Sequence, residues 1–215
     1  MTDAASFAAL VARVEWLDQA GADVIATLGG AEAFLQTMAA LMEKETLGVF
    51  DLLPSTDALR LPEEHDARST CGHYRWFFHF HSKTEKADRL AGHFHLFVAP
   101  SFFEAPRTVG LSHLIAVELD STGDLQGFFV PNRWVTDEHM RPACALVDAL
   151  PGFCGTEKTP ALIVSYWLDA LLQLFHTEIV TLLTERDRFL TQMNDTARAH
   201  YLENQTFDRI CEWRL

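Results

Sequence analysis

Two His-Phe-His triplets, His79-Phe80-His81 and His93-Phe94-His95, lie inside runs of aromatic and branched residues, and no other feature limits the fold as tightly. Such runs predict β-strands. Strand side chains alternate, so each run turns its imidazoles to one face and Trp76, Phe78 and Phe80, or Phe94, Leu96 and Val98, to the other. An antiparallel hairpin centred on Ala87 sets His81 opposite His93, His79 opposite His95 and Phe77 opposite Phe97. A slip of one residue would oppose histidines to phenylalanines and spoil both faces. The connection from Ser82 to Gly92 is polar and too long for a tight turn, so the face pattern sets the pairing and the loop does not.

Four imidazoles on adjacent strands suit a transition metal, because neutral histidine is a common ligand for Zn, Cu, Fe and Ni. His79, His81, His93 and His95 are therefore the candidate metal ligands, with Zn or Fe the expected divalent ion. A polar sheet face whose histidines bond to water or to one another is the competing reading. Cys71, Cys144, Cys154 and Cys211 are scattered, without the close pairs of a zinc knuckle, and read as free thiols of a reducing compartment.

The 215 residues suit a single domain, 1–215, or one domain with a helical appendage, and 48% hydrophobic content is ample for a core. A net charge of −13 leaves no basic stripe for phosphates, which argues against nucleic acid and anionic membrane surfaces. The first residues lack the basic and apolar regions of a signal peptide, and no stretch reaches the ~18 apolar residues of a membrane span. A cytoplasmic protein is expected. No internal repeat or low-complexity segment stands out.

In chain order, residues 1–50 read as helical: a helix through Phe7, Leu10, Val11, Val14 and Leu17, a shorter one from Asp23 to Leu28, and a third with Phe34, Leu35, Met38, Leu41 and Met42 on one stripe. Asp51 to Cys71 has no clear period and reads as a loop, from which His65 or Asp66 could add a ligand. The sheet occupies 73–130, with further strands at Ser112 to Leu119 and Gln126 to Val130 joined by a turn at Asp120 to Asp124. Strict alternation along Ser112 to Leu119 sends His113 and Glu118 to opposite faces. His113 then joins Ile115, Val117 and Leu119 in the core, and Glu118 is the candidate catalytic carboxylate near the histidines. Arg75, on the histidine face, is a candidate for binding an anionic group; an edge arginine in solvent is its alternative. Asn132, Arg133 and Trp134, at a strand end before a helix capped by Thr136, are further candidate substrate-binding residues, against a purely structural Arg–Trp stack. Residues 136–193 read as helical, with Ile163 to Leu174 and Ile179 to Phe189 forming one long helix or two meeting near His176-Thr177. The tail from Phe207 to Leu215 alternates weakly and could add an edge strand.

The runs Phe78-His79-Phe80-His81 and Gly92-His93-Phe94-His95-Leu96-Phe97, together with Asn132-Arg133-Trp134-Val135-Thr136-Asp137-Glu138, resemble a bacterial family of uncharacterised proteins, a domain of unknown function. The likeness extends from about the first helix through Leu182-Leu183-Thr184-Glu185-Arg186-Asp187. The family pattern has tyrosines where this chain has Trp76, Phe77 and Phe78, and a histidine where it has Ala91. The resemblance implies that these motifs matter and brings no reaction with it. More loosely, His-x-His on a strand with a third histidine from a neighbour is similar to the zinc site of α-class carbonic anhydrases, a likeness of a few residues that implies no shared fold.

The expected architecture is α+β: a central antiparallel meander sheet of about four strands, one face covered by N- and C-terminal helices and the other carrying a His-rich pocket. The leading expectation is a metal-dependent enzyme acting on a small, anionic or neutral molecule. The alternative is a non-catalytic metal- or ligand-binding accessory protein, since there is no nucleophile motif, phosphate loop or dinucleotide fingerprint. A protein partner or homo-oligomer is left open.

Overall fold

The computed structural model describes residues 29–45, 49, 53, 66–80, 90–103, 110–153 and 161–215. Helix α1 (Ala31–Glu45) is followed by strands β1 (Ala67–Arg68), β2 (Tyr74–Phe80), β3 (Leu90–Val98), β4 (Ser112–Asp120) and β5 (Leu125–Pro131). Helices α2 (Arg133–Thr136), α3 (Ala143–Ala149), α4 (Ala161–Leu174), α5 (His176–Thr191) and α6 (Asp195–Leu202) then lead to β6 (Arg209–Arg214). The six strands form one sheet in the order β1-β2-β3-β4-β5-β6, every neighbouring pair antiparallel. The fold is thus α+β, with edge strands β1 and β6 added to the expected four. The two helices expected before residue 29, together with His65 and His81, lie outside the described residues.

One face of the sheet is the core. Trp76, Phe78, Phe94, Leu96, Val98, Ile115, Val117, Leu119, Phe128 and Val130 are all buried in the main apolar cluster, as alternation demands. Helices α4 and α5 supply the opposing layer: Trp76 donates from Nε1 to Ser165 Oγ at 2.7 Å, Trp167 packs on Phe94 and Phe175 on Phe128. The helix from 161 to 191 is interrupted only at Phe175, whose backbone (φ −100°, ψ 25°) leaves the helical region and separates α4 from α5. Helix α1 joins this layer through Phe34, Met38 and Met42, with Phe34 edge-on to Tyr166 of α4.

The segment after β5 departs from expectation. Asn132, not Thr136, caps the helix: its Oδ1 accepts from Arg133 N at 2.8 Å, and α2 ends after one turn at Asp137, whose φ of 47° is left-handed. The loop expected through Cys71 also contains β1, which pairs Ala67 with Trp76 and Arg68 with Arg75.

Candidate metal centre

The second face of the sheet carries the histidines. Pairing of β2 with β3 places His79 opposite His93, Phe77 opposite His95 and Arg75 opposite Phe97. The expected pairing is corrected by two residues, a shift that conserves side-chain parity and so keeps every imidazole on the same face. Gly92 helps set this register. It lies opposite Phe80, and a Cβ there would come within 2.2 Å of the His79 carbonyl oxygen and 2.7 Å of the Phe78 ring. Only glycine lets β3 approach β2 so closely at this point.

His79, His93 and His95 each offer one ring nitrogen, and these atoms all lie within 4.8 Å of one another. His93 Nε2 is 2.8 Å from His95 Nε2, and the ring centroid of His79 lies 5.2 Å from that of His93. His93 and His95 are buried and His79 is half-buried. Three imidazoles converging from two strands could hold a metal ion once they are deprotonated, and the site needs little ordering on binding because the sheet already fixes the backbones.

A bulge alters the contribution of β4. Leu96 pairs with Ile115 but Phe97 pairs with His113, so Leu114 is the extra residue. Parity therefore changes across Leu114, and His113 and Glu118 share the histidine face instead of being divided by it. His113 Nε2 lies 3.0 Å from His95 Nδ1, continuing a chain of rings from His93 through His95. Burial, and then the positive fields of His93 and Arg186, lower the His113 pKa to about 3, so the ring is neutral. The carboxylate of Glu138 accepts from His113 N at 2.9 Å, and its own burial pushes it up to about 7.

Glu118 lies opposite His93 and is 1% exposed, but both oxygens are engaged by arginines of the last strand. Arg209 grips it with two nitrogens, at 2.6 and 3.1 Å, and Arg214 adds a further contact. Arg209 also stacks over the Phe129 ring at 3.9 Å. Glu118 is thereby the anchor of β6, whereas the sequence reading left it open to the site.

Above the trio lies a cleft of about 420 Å³ whose wall includes Arg75, the stacked pair Phe77 and Phe97, His79 and His95, with Val135 to Asp137 along its rim. Arg75 is on this wall, as its strand position implies, but Asp66 of the preceding segment accepts from both its Nε and Nη2. Asn132, Arg133 and Trp134 are directed elsewhere. Asn132 Nδ2 donates to the carbonyls of Tyr201 and Phe207, Trp134 Nε1 to Phe207 O at 2.8 Å, and Arg133 pairs with Glu203. These residues stitch the C-terminal segment to the end of β5. The cleft is instead bordered by the next part of the same motif, Thr136 and Asp137.

Sequence reasoning missed His113 because a bulge leaves no mark in the alternation, and missed the arginines on Glu118 because they come from the far end of the chain. Nothing short of long-range pairing would reveal either.

Residues 30–215 match the family model described as Domain of unknown function (DUF6969). No curated protein and no solved structure matches the chain.

Proposed function

Since the chain belongs to that family of unknown function, membership supplies no activity, and we propose from the site itself that this is a metal-dependent enzyme acting on a small molecule. The observation that carries the reading is the convergence of His79, His93 and His95, two of which, His79 and His95, line an open cleft. Three protein ligands around zinc leave a fourth position for water or substrate, which is the pattern of catalytic rather than structural sites. Zinc or iron is the ion such imidazoles suit, and either would supply Lewis-acid polarisation of a bound group. The protein's own part is to orient the ligand. Phe77 and Phe97 give the cleft an apolar wall for its body, and the Nη1 edge of Arg75 offers a donor to a polar or anionic group. Asp66 offsets much of the Arg75 charge, which favours a weakly anionic or neutral ligand over a phosphate.

One observation favours a non-catalytic binding role instead: the buried carboxylate nearest the histidines in the sheet, Glu118, is occupied by two arginines and is not a ready proton acceptor. The net charge of −13 supports a reading without nucleic-acid or anionic-membrane partners. Among the described residues no helix is long and apolar enough to cross a membrane.

The deciding experiment is elemental analysis of protein purified without a histidine tag, followed by cobalt(II) substitution and titration with azide. About one metal per chain, lost in His79→Ala/His95→Ala, with a cobalt spectrum that azide perturbs, is the expected result. Metal that azide cannot reach would leave the binding protein as the better reading. No metal uptake at all would sink both metal readings.

A further inference from the structure

We propose that His113 is a positioning residue of this centre, holding His95 through Nδ1 so that His95 Nε2 is presented to the ion; the inference rests on the metal-binding reading above. The two nitrogens of His95 have different neighbours. Nε2 lies 2.8 Å from His93 Nε2, among the converging ligand atoms, and Nδ1 lies 3.0 Å from His113 Nε2. Ligation requires a lone pair on Nε2, so the proton of the neutral ring must sit on Nδ1, where His113 Nε2 is the acceptor.

His113 is itself well held for this purpose. It is 1% exposed, its ring packs edge-on against Phe97 at 5.0 Å, and its backbone N–H is tied to Glu138 Oε2. Two further atoms fit the same scheme. His113 Nδ1 and Glu138 Oε1 are both buried without a hydrogen-bond partner among the described residues, and they belong to residues already joined by a hydrogen bond. When Nε2 of His113 accepts from His95, its own proton lies on Nδ1, and a bridging water could carry it to Glu138. The bulge at Leu114 is what delivers the ring: regular alternation would turn His113 into the core.

The test uses the full chain with zinc alone as the probe, and the variants His113→Leu and His113→Gln. Competition with a chromophoric chelator should show zinc binding weakened about 10–100-fold in the leucine variant, the usual cost of losing a group that orients a ligating histidine. His113→Gln, which keeps an acceptor near the Nε2 position, should recover most of that loss; a ring that merely filled space would favour leucine over glutamine. Long-range ¹H–¹⁵N spectra should show a protected proton shared by the His95 and His113 rings, placed on His95 Nδ1 when zinc is bound, and absent from His113→Leu. Should the leucine variant fail to fold, glutamine decides: zinc affinity close to wild type supports the role, and a loss as large as that of His79→Ala overturns it. Equal affinity in wild type and His113→Leu also overturns it. A wild-type chain that takes up no zinc removes the metal reading, and the shared proton, read without metal, then upholds or overturns the contact between the two rings.

Discussion

The residues that bear most on this site are buried polar groups, and each has a cost that a partner must offset. Glu118 is 1% exposed and is held by Arg209 and Arg214, whose side chains are 25% and 42% exposed. Glu118→Gln retains shape but loses the charge, so the expected destabilisation, discounted for solvent screening of the arginines, is about 2 kcal/mol in urea unfolding. An unchanged midpoint would mean that β6 is anchored by other contacts. Asp169 of α4 presents the opposite case. Burial raises it from 3.8 to about 7, with Gln173 as its partner. A carboxyl whose folded pKa is raised stabilises most below its unfolded value, and that contribution disappears as pH rises through about 7. Thermal melts of Asp169→Asn should therefore fall less steeply between about pH 4 and 7 than those of the wild type. Parallel curves would argue that Asp169 titrates normally.

Among elements, the β2-β3 hairpin combines a structural face with a chemical one, and substitutions should separate them. Phe78 and Leu96 are fully buried in the core, so alanine at either leaves a cavity and should cost about 2–5 kcal/mol. His79→Ala removes a half-buried ring from the other face and should leave the metal-free protein near wild-type stability while abolishing metal uptake. If His79→Ala unfolds the metal-free chain as severely as Phe78→Ala, the imidazoles are structural. Gly92→Ala tests the hairpin register itself. Because its Cβ would fall 2.2 Å from the His79 carbonyl, the strands must part beside the trio, and metal affinity should drop together with stability.

For the whole molecule, the last strand closes the sheet on the side where Glu118 emerges, so the two ends of the described chain do different work. Helix α1 strengthens the core layer, whereas β6 neutralises the polar face. Removing residues 209–215 should leave Glu118 buried without its cations and destabilise the fold by several kcal/mol, roughly 3–5. Calorimetry of the truncated chain checks this. Bound metal should act on the molecule as a unit: at a hundredfold excess over Kd it adds about 2.7 kcal/mol to unfolding. The rise in Tm should vanish in His79→Ala/His95→Ala, and a rise that persists there would place the ion elsewhere.

Alternation is a local property of the backbone, and for that reason much of the sheet was legible from the residues alone. The strands carrying Phe78, Phe94, Val117 and Phe128, the segregation of imidazoles from the apolar face, and the helices after Pro160 all follow from periods of two and 3.6. Parity also protects such a reading from error: the hairpin register differs by two residues from the expected one, and no side chain changes face. What alternation cannot contain is a change in its own phase. The extra residue at Leu114 saves a close pairing between β3 and β4 that only the packed sheet specifies, and it moves His113 from core to site. The fate of Glu118, Asn132 and Trp134 was equally hidden, since their partners, Arg209, Arg214, Tyr201 and Phe207, lie some seventy to ninety-six residues away. Sequence therefore determined which side chains could do metal chemistry, through local stereochemistry; tertiary structure decided which were available for it, because availability depends on which distant group reaches each polar atom first.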